Sequence, residues 1–87
     1  MHESSLMADL MRKIEAVAKA RSARKVKAVD LTIGAWASIG VAHLREHFER
    51  AAAGTVAEGA ELRVKLSDDP FAGNPRGVTL ESVEVET

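Results

Sequence analysis

Hydrophobic residues change their spacing along this sequence, from every third or fourth position to every second position and back. The three- and four-residue spacing predicts two amphipathic helices, one beginning after Ser4 or Ser5 and running to about Lys19 or Ala20, and one from about Ile39 or Gly40 to Ala53. Each helix must bury one apolar stripe. The stripes are Leu6, Met7, Leu10, Met11, Ile14, Val17 and Ala18 in the first helix and Val41, Leu44, Phe48, Ala51 and Ala52 in the second.

Small polar residues and a glycine mark the expected helix ends. Ser4 or Ser5 precedes the first apolar stripe, and a serine side chain there can accept a bond from an amide one turn later. Ser38 is in the same position before the second helix. Gly54 follows that helix, and glycine readily adopts the left-handed conformation that ends helices. We therefore expect serine N-caps and a glycine stop.

Alternating, β-branched segments predict three strands, at residues 25–33, 62–66 and 78–86. In the last segment the alternation slips between Leu80 and Val83, which indicates a β-bulge. Two helices on one face of a small sheet are the simplest way to bury both stripes. The sequence therefore predicts the α+β class, with two helices packed on one face of a small three-stranded mixed sheet.

Composition limits what this chain can be. Its 87 residues form one domain, with a formal net charge of -1 and no cysteine. A nucleic-acid or membrane-surface binder would carry a basic excess, and thiolate metal sites or disulfides would need cysteine. No apolar stretch is long enough to span a bilayer, and the start lacks the pattern of a signal peptide. We expect a cytoplasmic protein that binds neither nucleic acid nor membrane; its oligomeric state is left open.

The sequence begins with Met1, His2 and Glu3, a possible metal chelate. A bulky second residue disfavours removal of the initiator methionine, so the α-amine of Met1 should lie one peptide from the His2 imidazole. The amine, the intervening backbone nitrogen and the imidazole can close adjacent chelate rings around one ion. Planar, nitrogen-rich donor sets suit Ni(II) or Cu(II) better than magnesium or calcium.

The segment from His43 to His47 matches the H-x-x-E-H pattern of inverted zinc peptidases. Two histidines four apart share one helical face, and the intervening Glu46 would activate a water molecule. Such enzymes also need a third ligand from a distant helix, and no further long helix follows. We therefore expect no enzyme activity; the two histidines should flank the Leu44 and Phe48 stripe half-exposed, with a weak secondary metal site left open.

Five collinear pieces of the chain resemble the HypA/HybF family of nickel-handling accessory proteins for maturation of nickel–iron hydrogenases. They are Met1-His2-Glu3-x-Ser5-Leu6-Met7, Leu31-Thr32-Ile33-Gly34, Phe48-Glu49, Gly54-Thr55-Val56-Ala57-Glu58-Gly59-Ala60-x-Leu62 and Ser82-Val83-Glu84-Val85-Glu86. The resemblance covers residues 1–66 and 78–86. It implies a Ni(II) site at Met1, His2 and Glu3, with Glu3 more suited to a hydrogen bond or to the positive helix start than to direct ligation.

The sequence departs from the family at two places. Family members carry a zinc module with two Cys-x-x-Cys pairs between the last two strands, where this chain has the turn-rich loop 67–77. We therefore expect one nickel-binding-type domain over residues 1–87, without structural zinc. Some members also place an acidic nickel ligand near the start of the second helix, where this chain has Gly40.

The resemblance implies a nickel-binding accessory protein, or metallochaperone, rather than an enzyme. Its implied partners are a nickel-handling GTPase of the HypB type and the hydrogenase large subunit. The alternative is a metal-free interaction or regulatory module of the same maturation machinery. A urease instead of a hydrogenase as the client also stays open.

Overall fold

The computed structural model describes residues 3–87, with side chains from Ser5 onward. Five elements follow one another along the chain. They are α1 (Glu3–Ala20), β1 (Lys25–Ile33), α2 (Val41–Ala52), β2 (Glu61–Leu66) and β3 (Val78–Glu86).

The three strands form one mixed sheet in the order β2-β1-β3. β1 lies at the centre, parallel to β2 and antiparallel to β3. The parallel pair is joined through α2, which is the usual crossover between parallel strands. Asp30 pairs with Ser82 while its neighbour Leu31 pairs with Leu80, so Glu81 is an extra residue in β3. This irregularity is the predicted bulge.

Both helices pack on the same face of this sheet, and the predicted fold class is confirmed. Their apolar stripes meet the inward-facing residues of β1 and β2 in one core. The side chains that are less than 2 % exposed include Leu10, Ile14, Val26, Val29, Leu31, Leu44 and Phe48. Burying such side chains is worth about 1.5–3 kcal/mol each, which is the main force that holds the helices on the sheet.

The helix ends differ from those expected. α1 already begins at Glu3, so Ser4 and Ser5 lie inside the helix and the prediction that either serine caps it was wrong. α2 has Gly40 as its N-cap, with φ -83° and ψ 152° and no capping side chain, so the Ser38 prediction was wrong too. The glycine stop is confirmed, because Gly54 follows the C-cap with φ 79°.

The loop 67–77 is anchored to the end of β1. The amide of Gly34 donates to the carbonyl of Gly77 at 2.8 Å, and the amide of Trp36 donates to the carbonyl of Pro75 at 2.7 Å. A Cβ at Gly34 would lie 2.2 Å from the carbonyl oxygen of Asn74. Only glycine allows this close approach of two backbones.

Within residues 3–87, neither helix is long and apolar enough to cross a membrane.

Candidate metal centre at the amino-terminal end of the helices

The two helices run in roughly the same direction, which brings their amino-terminal ends together. α1 returns onto β1 through the short connection 21–24, so it runs opposite to β1. α2 connects the parallel strands β1 and β2, so it also runs opposite to β1. The start of α1 at Glu3 and the N-cap of α2 at Gly40 therefore lie at the same end of the helix layer.

A surface cavity lies between the early part of α1 and the second half of α2. It has a volume of about 330 Å³ and is lined by Met7 and Ala8 of α1 and by His47, Arg50 and Ala51 of α2. Met7 lies one turn beyond Glu3 at the start of α1. His47 is thus placed beside the early part of α1, although the two helices are far apart in sequence.

His43 and His47 contact each other along one face of α2. Their Nε2 atoms lie 3.0 Å apart, and the ring centroids are 4.6 Å apart with planes inclined by 32°. His43 is exposed and His47 is half-buried, as expected for residues that flank the buried Leu44 and Phe48. When both rings are neutral, one Nε2 can donate to the other. Neutral imidazoles are also common ligands of transition-metal ions.

Residues 1–72 match the family described as "Hydrogenase/urease nickel incorporation, metallochaperone, hypA". The chain belongs to the HypA family. This confirms the resemblance found in the sequence. The family is one of metallochaperones, so the prediction that the chain is not an enzyme is confirmed at the level of the family.

The chain is similar to several proteins named hydrogenase maturation factor HypA. It is 42% identical over 72 residues to that of Xanthobacter autotrophicus, covering 83% of this chain and 63% of the relative. It is 33% identical over 82 residues to that of Nitrosospira multiformis, covering 94% of this chain and 70% of the relative. With Chlorobium limicola, 40% identity over 65 residues covers 75% of this chain and 56% of the relative. The chain thus spans about 56–63% of the length of the first and third of these relatives.

The fold is also that of a solved HypA structure. The solution structure of the nickel metallochaperone HypA from Helicobacter pylori matches with a TM-score of 0.81, covering 99% of this chain and 98% of that one. The identity is only 19%, so this likeness establishes the shared fold. It supports the two-helix, three-stranded architecture independently of the sequence match.

The structure describes only one of the three predicted ligand residues, and only by its backbone. Met1 and His2 lie outside the described residues, and Glu3 is described only by its backbone, as the first residue of α1. Among the described side chains, no group of three or more histidines, aspartates or glutamates could hold a metal ion. The first turn of α2 contains no acidic residue, consistent with glycine at position 40. The Met1, His2 and Glu3 site therefore stays a prediction.

The peptidase-like pattern in α2 does not assemble a catalytic arrangement. Glu46, which would act as the general base, forms an ion pair with Arg50. His43 and His47 have no third ligand among the described side chains. In a zinc peptidase the carboxylate of Glu46 would activate a metal-bound water. Here it instead pairs with Arg50 on the same helix.

A polar network that the sequence did not reveal occupies the opposite face of the sheet. Asp30 accepts two bonds from Arg63, Nε to Oδ1 at 2.9 Å and the terminal nitrogen to Oδ2 at 3.1 Å. Ser82 donates to the same carboxylate at 2.5 Å. The Arg63 hydrogen bond, followed by the Ser82 hydrogen bond, lowers the pKa of Asp30 below its ordinary value of 3.8. The sequence indicated only that Asp30 faces outward. The residues that it pairs with depend on the register of both neighbouring strands.

Proposed function

We propose that this chain binds Ni(II) through Met1, His2 and Glu3 and carries it during maturation of a nickel–iron hydrogenase. The observation that carries the proposal is the family match, which begins at residue 1 and includes this tripeptide. The helical conformation of Glu3, the first described residue, supports it, because an acidic side chain is favourable near the positive amino-terminal end of a helix.

The proposed donors are nitrogen atoms closely spaced along the chain. In a protein whose free amino terminus is Met1, the α-amine, the deprotonated amides of His2 or Glu3 and the His2 imidazole surround the ion. Deprotonation of an amide means that Ni(II) binding releases protons, so affinity should rise with pH. Glu3 acts as a hydrogen-bond acceptor or as a favourable charge at the start of α1, worth about 0.3–1 kcal/mol there.

Delivery requires partners that accept the ion. We propose the nickel-handling GTPase of the HypB type and the hydrogenase large subunit, as the family implies. The cytoplasmic location remains a prediction, as does the interpretation of loop 67–77 as the replacement for the zinc module. The anchoring of this loop to Gly34 and Trp36 is consistent with a domain that is closed without an additional module.

One observation favours the metal-free alternative. Gly40 at the N-cap of α2 removes the acidic ligand that some family members have. A chain with a weakened site could still hold maturation partners together or regulate a longer relative. Metal binding by the isolated protein separates the two functions.

The test is calorimetric titration of Ni(II) into protein produced with Met1 as its free amino terminus. We expect binding in the micromolar range or tighter, weakened by about tenfold or more in His2→Ala, which corresponds to about 1.4 kcal/mol or more. The matched control is a variant with one glycine added before Met1, which keeps every side chain and moves only the amine. It should lose affinity in the same way.

The alternative would be supported if the native-terminus protein formed a stable complex with a HypB-type GTPase but bound no Ni(II). Glu3→Gln sharpens the assignment. A small change in affinity is expected if Glu3 acts through hydrogen bonding or charge, and a loss as large as that of His2→Ala would make it a ligand.

A further inference from the structure

We propose that His43 and His47 form a second metal site, in which the two imidazoles chelate one divalent first-row transition-metal ion on the surface of α2. This site does not depend on the amino-terminal chelate. It is built from side chains that the structure describes, on an element whose position is set by a buried core.

The distance between the two rings fits a shared ion. Their Nε2 atoms are 3.0 Å apart, because residues four apart lie one above the other on a helix. An ion about 2.0–2.1 Å from each nitrogen would make an angle of roughly 90–97° between them at this separation. That angle is closer to the right angle of square-planar or octahedral sites than to a tetrahedral one. Ni(II) and Cu(II) prefer such geometries.

The cavity beside His47 offers space for an ion and its remaining ligands. His43 is exposed, and His47 lines the cavity of about 330 Å³ between the helices. Arg50 also lines this cavity, but its charge is balanced by the ion pair with Glu46. Because no third histidine or carboxylate of the described part completes the site, water or groups outside this part must fill the other positions.

The helix holds the pair in place before any ion binds. Leu44 and Phe48 follow His43 and His47 directly and are buried, with exposures of 0% and 2%. Arg45, between the two histidines, donates to the carbonyl of Leu62 in β2 at 2.5 Å. The backbone that carries both imidazoles is therefore fixed against the sheet, which lowers the cost of ordering the ligands.

The site lies at the same end of the helix layer as the start of α1. His47 shares its cavity with Met7 and Ala8, one turn beyond the residue at which α1 begins. An ion on α2 would thus be near the early part of α1. Together with the proposed amino-terminal chelate, this second site would give the chain a capacity of two ions.

The experiment uses the full chain carrying His2→Ala, which removes the amino-terminal imidazole. Ni(II) and Cu(II) are titrated by calorimetry, and Zn(II), which is diamagnetic, is followed by the imidazole nitrogen resonances in NMR. We expect one ion per chain in this background, with the Nε2 resonances of both histidines shifted by Zn(II). Adding His47→Gln, which keeps a polar side chain of similar size, should weaken binding by about tenfold or more.

Glu46→Gln in the same background is the matched control, because it leaves both imidazoles in place and should retain the ion. The site is ruled out if the His2→Ala protein binds no ion, or if the Nε2 resonances of His43 and His47 do not move. That result would leave the amino-terminal proposal intact when the unsubstituted protein still binds Ni(II). Conversely, one ion that is unaffected by His2→Ala and lost in His47→Gln would support this site and contradict the amino-terminal one.

Discussion

The two faces of the central strand β1 have different surroundings. Val29, Leu31 and Ile33 point into the core beneath both helices, while Asp30 and Thr32 point to the open face. On the open face Asp30 pairs with Arg63 and Ser82, in a surface network. The comparison indicates that apolar burial under the helices carries stability, whereas polar pairs on the open face contribute little.

The candidate metal chemistry belongs to the helix side. Gly40 is the N-cap of α2, His43 and His47 lie on α2, and the predicted chelate includes Glu3, the first described residue of α1. The open face has a shallow depression of about 420 Å³ lined by Asp30, Arg63 and their neighbours, but no histidine. Substitutions on the two faces should therefore differ in the size of their effect and in the property that they change, stability or metal binding.

The largest expected effect comes from the core under α2. Phe48→Ala removes a ring that is 2% exposed, and such truncations cost about 3–5 kcal/mol of unfolding free energy. Urea unfolding followed by circular dichroism measures this loss. Lys65→Ala, on the open face, is the control and should stay within about 0.5 kcal/mol. Equal losses in both variants would contradict the division between the faces.

The second effect concerns the contact between β1 and the loop 67–77. Gly34→Ala places a Cβ 2.2 Å from a backbone oxygen, so the loop must shift, at a cost of about 1–3 kcal/mol. Gly40→Ser is the control, because a Cβ at Gly40 meets nothing within 4 Å. Thermal unfolding compares the two. A Gly34→Ala protein as stable as the unsubstituted chain would show that the loop is not held against β1.

A smaller effect is expected when an acid is restored at the start of α2. Gly40→Asp fits the open space and the extended N-cap conformation, and places a carboxylate at the end shared with α1. We expect Ni(II) affinity to rise several-fold. Gly40→Asn is the control, since it caps a helix equally well without the negative charge. If aspartate and asparagine give the same affinity, position 40 does not face the nickel site.

The smallest effect is on the open face and depends on pH. The pKa of Asp30 is lowered by Arg63 first and Ser82 second, so the folded state favours the ionised carboxylate. Its contribution to stability is present above pH 3.8, the ordinary pKa, and is lost as the pH falls through the lower folded-state pKa. Asp30→Asn should therefore cause a small loss at pH 7 that disappears in strong acid. Unfolding curves at both pH values test this, and Ni(II) binding at pH 7 should not change.

Much of the fold was predictable because it follows from local patterns. The bounds of β1 and β3 follow from their alternation, and the bulge at Glu81 follows from the slip in that alternation. The helix caps were not predictable, since Ser5 and Ser38 are good capping residues in isolation. In the structure, α1 instead extends back to Glu3, and α2 begins after Gly40.

The candidate site was predictable only in part. The contact of His43 with His47 follows from their four-residue spacing, but the position of His47 beside Met7 depends on how the two helices pack. The partnership of Asp30 with Arg63 needs the register of a parallel strand pair, which no local pattern encodes. Contacts between distant segments are thus what the structure adds.

The central claim is that the amino-terminal tripeptide binds Ni(II) through nitrogen donors. The most direct measurement is the visible circular dichroism of Ni(II) added to protein with a free Met1, compared with the glycine-extended variant. We expect a d–d band from square-planar nickel bound to the amine and amide nitrogens, which is complete when one ion fills this site, grows as the pH is raised, and is absent from the extended variant. The same band in both proteins, or no band in either, would contradict it.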